Sequence, residues 1–342
     1  MKAVVFHEHG GVEKLSYEEV EDPIVESREV LIKVKACALN HLDLHVRKGI
    51  PGLKLKLPHI LGSDISGVVE KVGEEVFGVE EGQNVVINPG LSCGKCEFCL
   101  QGEDSLCIKY RIIGEHVPGG YAEFLKVPGK NVILFPDEFS FEDVASVPLV
   151  FMTAWRMLVS RGKLKPGEDI LILGASGGVG TASVQIAKLC GLRVFATTSS
   201  EEKTKKLSKL GTDHIIDYTR VDFAKEIKNL TKKRGVDIVV DCVGATTWRQ
   251  SLQSLAKNGR LLTCGATTGP NPETDLRYIF WNQLHIIGST MGTKKELLDV
   301  LKLVWQRKLK PVVDRVLPLK DARKAHELME ARSQFGKLVL RV

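Results

Sequence analysis

The sequence predicts an α/β protein in two parts: a compact β-barrel or sandwich, then a doubly wound parallel six-stranded sheet. Three observations carry that reading. Up to about Phe135, short alternating or apolar runs are separated by Gly, Pro and Asn turns. Beyond Ser140 the texture changes, and strand-like runs alternate with helical ones. At the head of the second part, DILILGASGGVGTASVQIAKLCG sets a strand, a glycine turn and a helix in immediate succession.

In the first part, EVLIKVKACAL, ISGVVEKVG, QNVVIN and AEFLKV have the length and spacing of barrel strands, so the region reads as all-β. SFED, from Ser140, has the form of a capping box and opens one long apolar helix running through Trp155 and Met157. The strands DILIL, LRVFAT, HIID, VDIVVD, GRLLTCG and HIIGST follow, mostly with helices between them. Helices between strands require parallel pairing with right-handed crossovers. From Lys294, KKELLDVLKLVWQ, PVVDRV, a further helix and KLVLRV do not extend such a sheet, so this tail is expected to return to the first domain.

Bulk properties exclude several classes. The formal net charge of +6 comes from scattered Lys and Arg, without the basic block or aromatic-basic patch that nucleic acid requires. VASVPLVFMTAW, the longest apolar stretch, contains a proline and falls short of the ~20 residues of a membrane span. MKAVVFHEH turns polar too soon for a signal peptide, so a cytoplasmic protein with reduced thiols is expected. Cys37, Cys190, Cys242 and Cys264 are isolated in sequence and read as small apolar core residues.

The glycine turn is a dinucleotide site by its context. Gly177 lets the backbone approach a pyrophosphate, Gly180 permits close helix-strand packing, and Gly178 and Val179 open the helix whose positive end receives the phosphates. Ala175 stands where the first glycine of G-x-G-x-x-G belongs. NAD sites place an acid at the end of the second strand, about twenty residues on. Here RVFATTSSEEK offers Ser199, Ser200 and Lys203 instead, hydroxyls and a cation suited to a 2′-phosphate. NADP(H) is therefore expected ahead of NAD(H), although SSEEK also serves as a helix cap.

CGKCEFCLQGEDSLC places Cys93, Cys96, Cys99 and Cys107 at C-x2-C-x2-C-x7-C. Iron-sulfur proteins with a similar start bring their fourth cysteine after three residues and follow it with a proline; neither holds here. Four thiolates without histidine suit one tetrahedral zinc per chain, closed to water and substrate, so its task is to fix a loop.

A β-rich domain with this four-cysteine loop, followed by a dinucleotide fold, resembles the medium-chain dehydrogenase/reductase superfamily over essentially the whole chain. The four cysteines match the structural zinc lobe of the zinc-type alcohol dehydrogenases at every spacing. The resemblance implies a GroES-like catalytic domain over 1–148 and 290–342, with the zinc lobe at 90–108, and a Rossmann domain over 149–289. It implies a homodimer or homotetramer pairing through the edge strand near HIIGST, and a small-molecule substrate.

The family's catalytic zinc ligands are missing. Where K-x-C-G-x-C-G-T-D-x-H is typical the chain has KACALNHLDLH, with Asn40 at the first ligand and Leu42 at the proton-relaying Ser or Thr. Gly62-Ser63-Asp64 replaces G-H-E, and no ligand stands near Leu149. His41, His45 and His59 are the residues from which a substitute site would have to be improvised. The LN pair, PL-x3-TAW and A-S-G-G-V-G are similar to the quinone-reductase branch, whose NADPH-phosphate residues match Lys203 and Tyr218. That branch generally lacks the zinc lobe, so the chain combines features of both.

Without zinc, the oxyanion that develops during hydride transfer must meet hydrogen-bond donors, and Asn40 and His41 are the expected ones. Asp43 and His45 match the family's D-x-H pair, implied to reach the cofactor ribose and pass protons, and Thr153 matches a threonine near the nicotinamide. Val243, Gly244, Cys264, Gly265 and Ser289 follow strand ends, where cofactors sit in open α/β sheets. Such a site suits activated C=C or C=O groups in enones, quinones or reactive ketones and aldehydes. The alternatives are a zinc-dependent alcohol dehydrogenase and a nucleotide-binding structural protein with vestigial activity.

Overall fold

The alternation in EVLIKVKACA becomes the spine of the first of two units. In the computed structural model, which describes residues 1–342, the strand Glu29–Ala38 buries Val30, Ile32 and Val34 in the main core, as a period of two dictates, and a register shift before Ala36 then gives that face to Cys37 and turns Ala36 and Ala38 into a smaller cluster. It is flanked by Asp64–Val72 on one edge and Lys337–Arg341 on the other, both antiparallel. Asn84–Ile87 and Val132–Leu134 continue the sheet beyond Asp64–Val72, Val313–Pro318 lies beyond Lys337–Arg341, and Phe124–Pro128 also pairs with the spine. The carboxyl-terminal strand thus sits in the middle of the first unit's sheet. That unit comprises 1–149, 293–305 and 310–342, and the second comprises 150–292 and 306–309.

The first unit is not all-β. The helix His41–Lys48 follows the spine, and its start is fixed by Asp43, whose carboxylate reaches back to the Asn40 N–H at 2.7 Å. A buried chain of polar contacts supports it from below. Arg47 is fully buried, donates to His326 Nδ1 at 3.2 Å and pairs with Glu330 at 2.5 Å. An arginine only donates, so His326 Nδ1 accepts and its Nε2–H faces the Tyr121 oxygen at 3.3 Å. Burial, with the Asp43 charge adding to it, pushes the Tyr121 hydroxyl well above its ordinary value.

The long helix expected from Ser140 is broken. Ser140 caps Phe141–Ala145 by accepting from the Asp143 N–H at 3.1 Å, the chain turns at Ser146, and a new helix starts at Pro148–Trp155, passing into a π-helical segment at Arg156–Arg161. The proline explains the break. It lacks an N–H and disfavours helical geometry at Val147 before it, yet it is well placed as a first helical residue.

In the second unit the strands Asp169–Ile172, Arg193–Thr198, His214–Asp217, Val236–Val240, Leu255–Thr263 and His285–Gly288 are all parallel. Their order across the sheet is third, second, first, fourth, fifth, sixth, the doubly wound order that places nucleotides at the carboxyl ends of the strands. Leu171, Phe195, Val239 and Leu261 fill the core beneath it. No helix is long and apolar enough to cross a membrane.

The buried His326 gives the fold a defined acid response. Burial pulls its imidazole down to about 3, with the Arg47 charge adding to it. Such a histidine is neutral when folded and takes up a proton on unfolding below its ordinary value of about 6.5. Its contribution is therefore complete above that pH and is lost as the pH falls towards 3. Asp43, raised by burial to about 6, acts oppositely and favours the fold at low pH. His326→Gln should shrink the loss of stability between pH 7 and pH 5 by about 2 kcal/mol in urea unfolding; an unchanged loss would assign the acid limb to other groups.

Candidate functional site

The cysteine loop forms a small lobe between the strands Gly90–Leu91 and Arg111–Ile112, with the helical turn Glu97–Leu100 inside it. Its four sulfurs lie within 4.8 Å of one another, Cys96 to Cys99 at 3.5 Å and Cys93 to Cys99 at 4.0 Å. Four thiolates ~2.3 Å from one tetrahedral ion would lie roughly 3.8 Å apart, so the donor set fits zinc. Backbone N–H groups support the sulfurs: those of Cys93 and Lys109 each reach Cys107 Sγ at 3.3 Å. The Lys95 N–H draws the Cys93 thiol down to about 6, towards the thiolate a metal requires.

The first unit also holds a buried polar cluster around Asp64, with a cation in it. Lys337, from the carboxyl-terminal strand, donates to Asn40 Oδ1 at 2.6 Å and to Asp64 Oδ2 at 2.8 Å. Asp64 is fully buried and Lys337 is 3% exposed. An ammonium only donates, so the Asn40 oxygen must face it and the Asn40 amide nitrogen turns away. That nitrogen donates to Asp64 Oδ2 at 2.9 Å and approaches Ala38 O at 3.4 Å. The second Asp64 oxygen accepts the Leu149 N–H at 2.7 Å. Leu149 has that N–H to give because Pro148 restarts the helix, leaving the first amides without intrahelical acceptors.

A catalytic zinc does not fit this arrangement. The two oxygen-bearing side chains, Asn40 and Asp64, are committed to Lys337; Ser63 and Leu149 supply no imidazole or thiolate, and a buried ammonium already holds the positive charge. Among His, Cys, Asp and Glu side chains, the only cluster with metal-ligand spacing is the four cysteines. His59, considered as an improvised ligand, is buried and bonded to Gly114 O at 3.2 Å.

The remaining candidates divide. Asn40 has no amide hydrogen to spare for a substrate oxygen, because both point at protein oxygens. Asp43 is wholly buried, with one oxygen on Asn40 N and the other on Gly62 N at 3.1 Å, so it holds two loops together. His41 and His45 are solvent-accessible on the helix that Asp43 anchors. Desolvation by the surrounding protein pulls His41 down to about 4, with the His45 and Arg332 charges adding to it, so at neutral pH it offers a neutral imidazole. His45 is lowered for the same first cause.

In the second unit the glycine turn has the shape a pyrophosphate needs. A Cβ on Gly180 would lie 2.3 Å from Gly174 O, which no side chain tolerates, whereas Gly177 has 3.4 Å of clearance. The left-handed residue of the turn is Gly174, at φ +59°, which compensates for Ala175 one place later and was not singled out from the sequence. Gly177 precedes the twelve-residue helix Gly178–Leu189, whose amino end faces the turn, with Val179 and Gly180 in its first turn. Asp241, also missed, anchors the turn after the fourth strand: its carboxylate accepts from Val243 N, Gly244 N, Thr247 and Ser251.

Ser199 lies just past the second strand, and Tyr218 just past its neighbour, in the register Thr198 with Asp217. Ser200 spends its hydroxyl on the Lys203 N–H at 3.3 Å, so it is a helix cap. The hydroxyls of Thr153 and Ser289 are buried without a protein partner. Cys264, adjoining Gly265, is not an isolated core thiol: its sulfur lies 3.1 Å from that of Cys242, and both are half-buried at neighbouring strand ends.

The cysteine lobe yields a direct expectation. The purified wild-type chain should carry zinc near one equivalent by elemental analysis, and Cys107→Ala should fall close to zero. Full zinc occupancy in Cys107→Ala would remove the lobe as the binding site.

Comparison with known proteins agrees with this geometry. Residues 26–137 match the alcohol dehydrogenase GroES-like domain family and residues 178–306 the zinc-binding dehydrogenase family. The acryloyl-coenzyme A reductase of Metallosphaera sedula is 34% identical over 344 residues, 99% of each chain. The NAD-dependent alcohol dehydrogenase of Sulfolobus acidocaldarius is 33% identical over 349 residues, 100% of each. A crystal structure of an NAD-dependent alcohol dehydrogenase superposes with TM-score 0.96 at 47% identity, covering 100% of both chains. The chain belongs to the medium-chain dehydrogenase/reductase superfamily and is a nicotinamide-dependent oxidoreductase of that group.

Proposed function

We propose that this chain is an NADP(H)-preferring reductase that delivers hydride to activated C=C or C=O groups without a catalytic zinc. The observation that carries the reading is that Asn40, Ser63 and Leu149, at the positions the resemblance gives to metal ligands, bring no thiolate or imidazole, and that the Asn40 oxygen is taken by Lys337. Bound nicotinamide supplies the hydride. The chain's own residues bind the cofactor, keep the substrate oxygen in a polar environment and exclude metal.

Substrates already polarised towards accepting a hydride need less help from the protein than a simple alcohol would. Enones, quinones and conjugated thioesters meet that condition. The relative named acryloyl-coenzyme A reductase supports the thioester member of this set. The partnerless hydroxyls of Thr153 and Ser289 suit hydrogen bonding to the cofactor. At the adenosine end, the lack of an acid at the very end of Arg193–Thr198, with Ser199, Lys203 and Tyr218 close by in the sequence pattern, supports NADP(H). Names of other relatives specify NAD, so cofactor choice needs its own test.

Two measurements check the proposal. The wild-type chain, assayed with NADPH and NADH against an enone, a quinone, an acryloyl thioester and a ketone, should consume NADPH fastest with the conjugated substrates. Brisk oxidation of simple alcohols, strengthened by added zinc, would favour the alcohol dehydrogenase alternative. Lys203→Glu should lower kcat/KM for NADPH about 10–100-fold, as expected for losing a charge-assisted bond of roughly 1.5–3 kcal/mol. It should leave NADH within a few fold, whereas equal losses for both cofactors would detach Lys203 from the 2′-phosphate.

A further inference from the structure

Two cysteines outside the metal lobe meet at the carboxyl end of the second unit's sheet. The fourth strand, Val236–Val240, and the fifth, Leu255–Thr263, run parallel with Val240 opposite Leu262. The Asp241 N–H extends that ladder by donating to Leu262 O at 2.9 Å. The same register, carried two residues on from Val240 and Leu262, sets Cys242 beside Cys264. Their sulfurs are 3.1 Å apart. Neighbouring strands run about 4.8 Å apart, inside the roughly 4.4–6.8 Å between Cα atoms that a disulfide spans. A bond of about 2.05 Å therefore needs the sulfurs to close by ~1 Å. In the strands behind them Val239, Val240, Leu261 and Leu262 are buried, whereas both cysteines are half-buried and open in part to solvent.

The strand order of this sheet reverses between the first and fourth strands, and dinucleotides lie in the crevice at such a reversal, beyond the carboxyl ends. The turns that leave the fourth and fifth strands are tied to each other. Thr268 reaches Val243 O at 2.8 Å with both its N–H and its hydroxyl, and the Ala245 N–H reaches Gly269 O at 3.1 Å. The cysteine pair forms the root of that joint.

We propose that Cys242 and Cys264 are a redox modification site, closed to a disulfide by a peroxide, and that the closed form binds the nicotinamide dinucleotide more weakly than the dithiol. The inference rests on the second unit holding that cofactor. The Cys242 sulfur attacks one oxygen of hydrogen peroxide and the O–O bond breaks. Its thiol proton leaves with the departing hydroxide as water, and Cys242 becomes a sulfenic acid. The Cys264 sulfur then displaces the sulfenic hydroxyl, which takes the Cys264 proton as a second water, and the S–S bond forms. The two sulfurs together lose two electrons and the peroxide gains them. The hydrogen bond to Cys242, ahead of burial, holds the Cys264 thiol well above its ordinary value, so Cys264 keeps its proton until Cys242 has reacted. Drawing the sulfurs together shifts the strand ends and the joined turns. The dithiol leaves them where Asp241 anchors them, with Val243 N and Gly244 N on its carboxylate.

The test treats the full-length, zinc-loaded chain with hydrogen peroxide and titrates it with NADP and with NAD. An unreduced tryptic digest should contain the peptide 235–249 joined to 261–277, and dithiothreitol should separate them. Kd for the cofactor should rise about tenfold, within the ordinary range of coupling between two sites, and should return on reduction. Reciprocity then requires saturating NADP to raise the midpoint potential of the pair by about 30 mV, the equivalent of tenfold for a two-electron couple. Cys242→Ser keeps the side-chain volume close to that of cysteine and should bind cofactor like the reduced wild type, both before and after peroxide. A loss of affinity that persists in peroxide-treated Cys242→Ser would move the effect to other thiols and overturn the assignment. So would a peroxide-treated wild type without the joined peptide, or one with the joined peptide and an unchanged Kd; these two readouts decide the matter even where the variant does not fold. The two readings fail differently: a reduced wild type that binds neither NADP nor NAD sinks the cofactor reading, whereas a reduced wild type that binds and is indifferent to peroxide sinks the cysteine pair.

Discussion

The carboxylate of Asp64 is the knot on which the first unit's candidate site depends. One oxygen accepts the Leu149 N–H; the other accepts from Lys337 and Asn40. Four segments far apart in sequence therefore meet at one fully buried group: the turn after the spine strand, the strand that begins at Asp64, the helix restarted by Pro148 and the carboxyl-terminal strand. A charge buried this completely demands compensation, and the compensation it receives is a lysine rather than a metal.

The four-cysteine lobe and the Asp64 cluster are separate parts of the first unit. The four cysteines lie close together in sequence, fold around their own short loop, and leave no coordination position for a substrate once all four sulfurs are used. The glycine turn belongs to the second unit, and the buried polar cluster of Asn40, Asp64 and Lys337 to the first. In the same unit the buried Arg47 joins His326 to the exposed Glu330, His326 meets Tyr121, and Asp43 bonds Asn40 N and Gly62 N. Asp43 thus contributes by fixing where Asn40 and the Gly62–Asp64 turn stand.

What could be read from the sequence was what is local in it. The glycine turn, the cysteine spacing and the six parallel strands each show themselves within a few tens of residues, and the structure has them where the pattern placed them. The return of the tail to the first domain was legible because KLVLRV had no place in the parallel sheet. The helix from Ser140 was drawn too long because its apolar pattern outweighed Pro148, the residue that ends it. Lys337 was invisible for a different reason: it lies 273 residues from Asp64, and a lysine beginning a terminal strand looks like a solvated end. Asn40 and Asp43 stand out in the sequence as candidate site residues, but which way their hydrogen bonds run depends on partners that only the folded chain supplies.

The central claim is that one ion sits in the sulfur cage and that the Asn40–Asp64 cluster holds Lys337 and no second ion. A crystal structure of the NADP-bound protein, with anomalous scattering collected at the zinc edge, tests it most directly. The account predicts a single peak per chain, enclosed by Cys93, Cys96, Cys99 and Cys107, with lysine density between Asn40 and Asp64. A second peak beside Asp64, with Lys337 displaced, would contradict it.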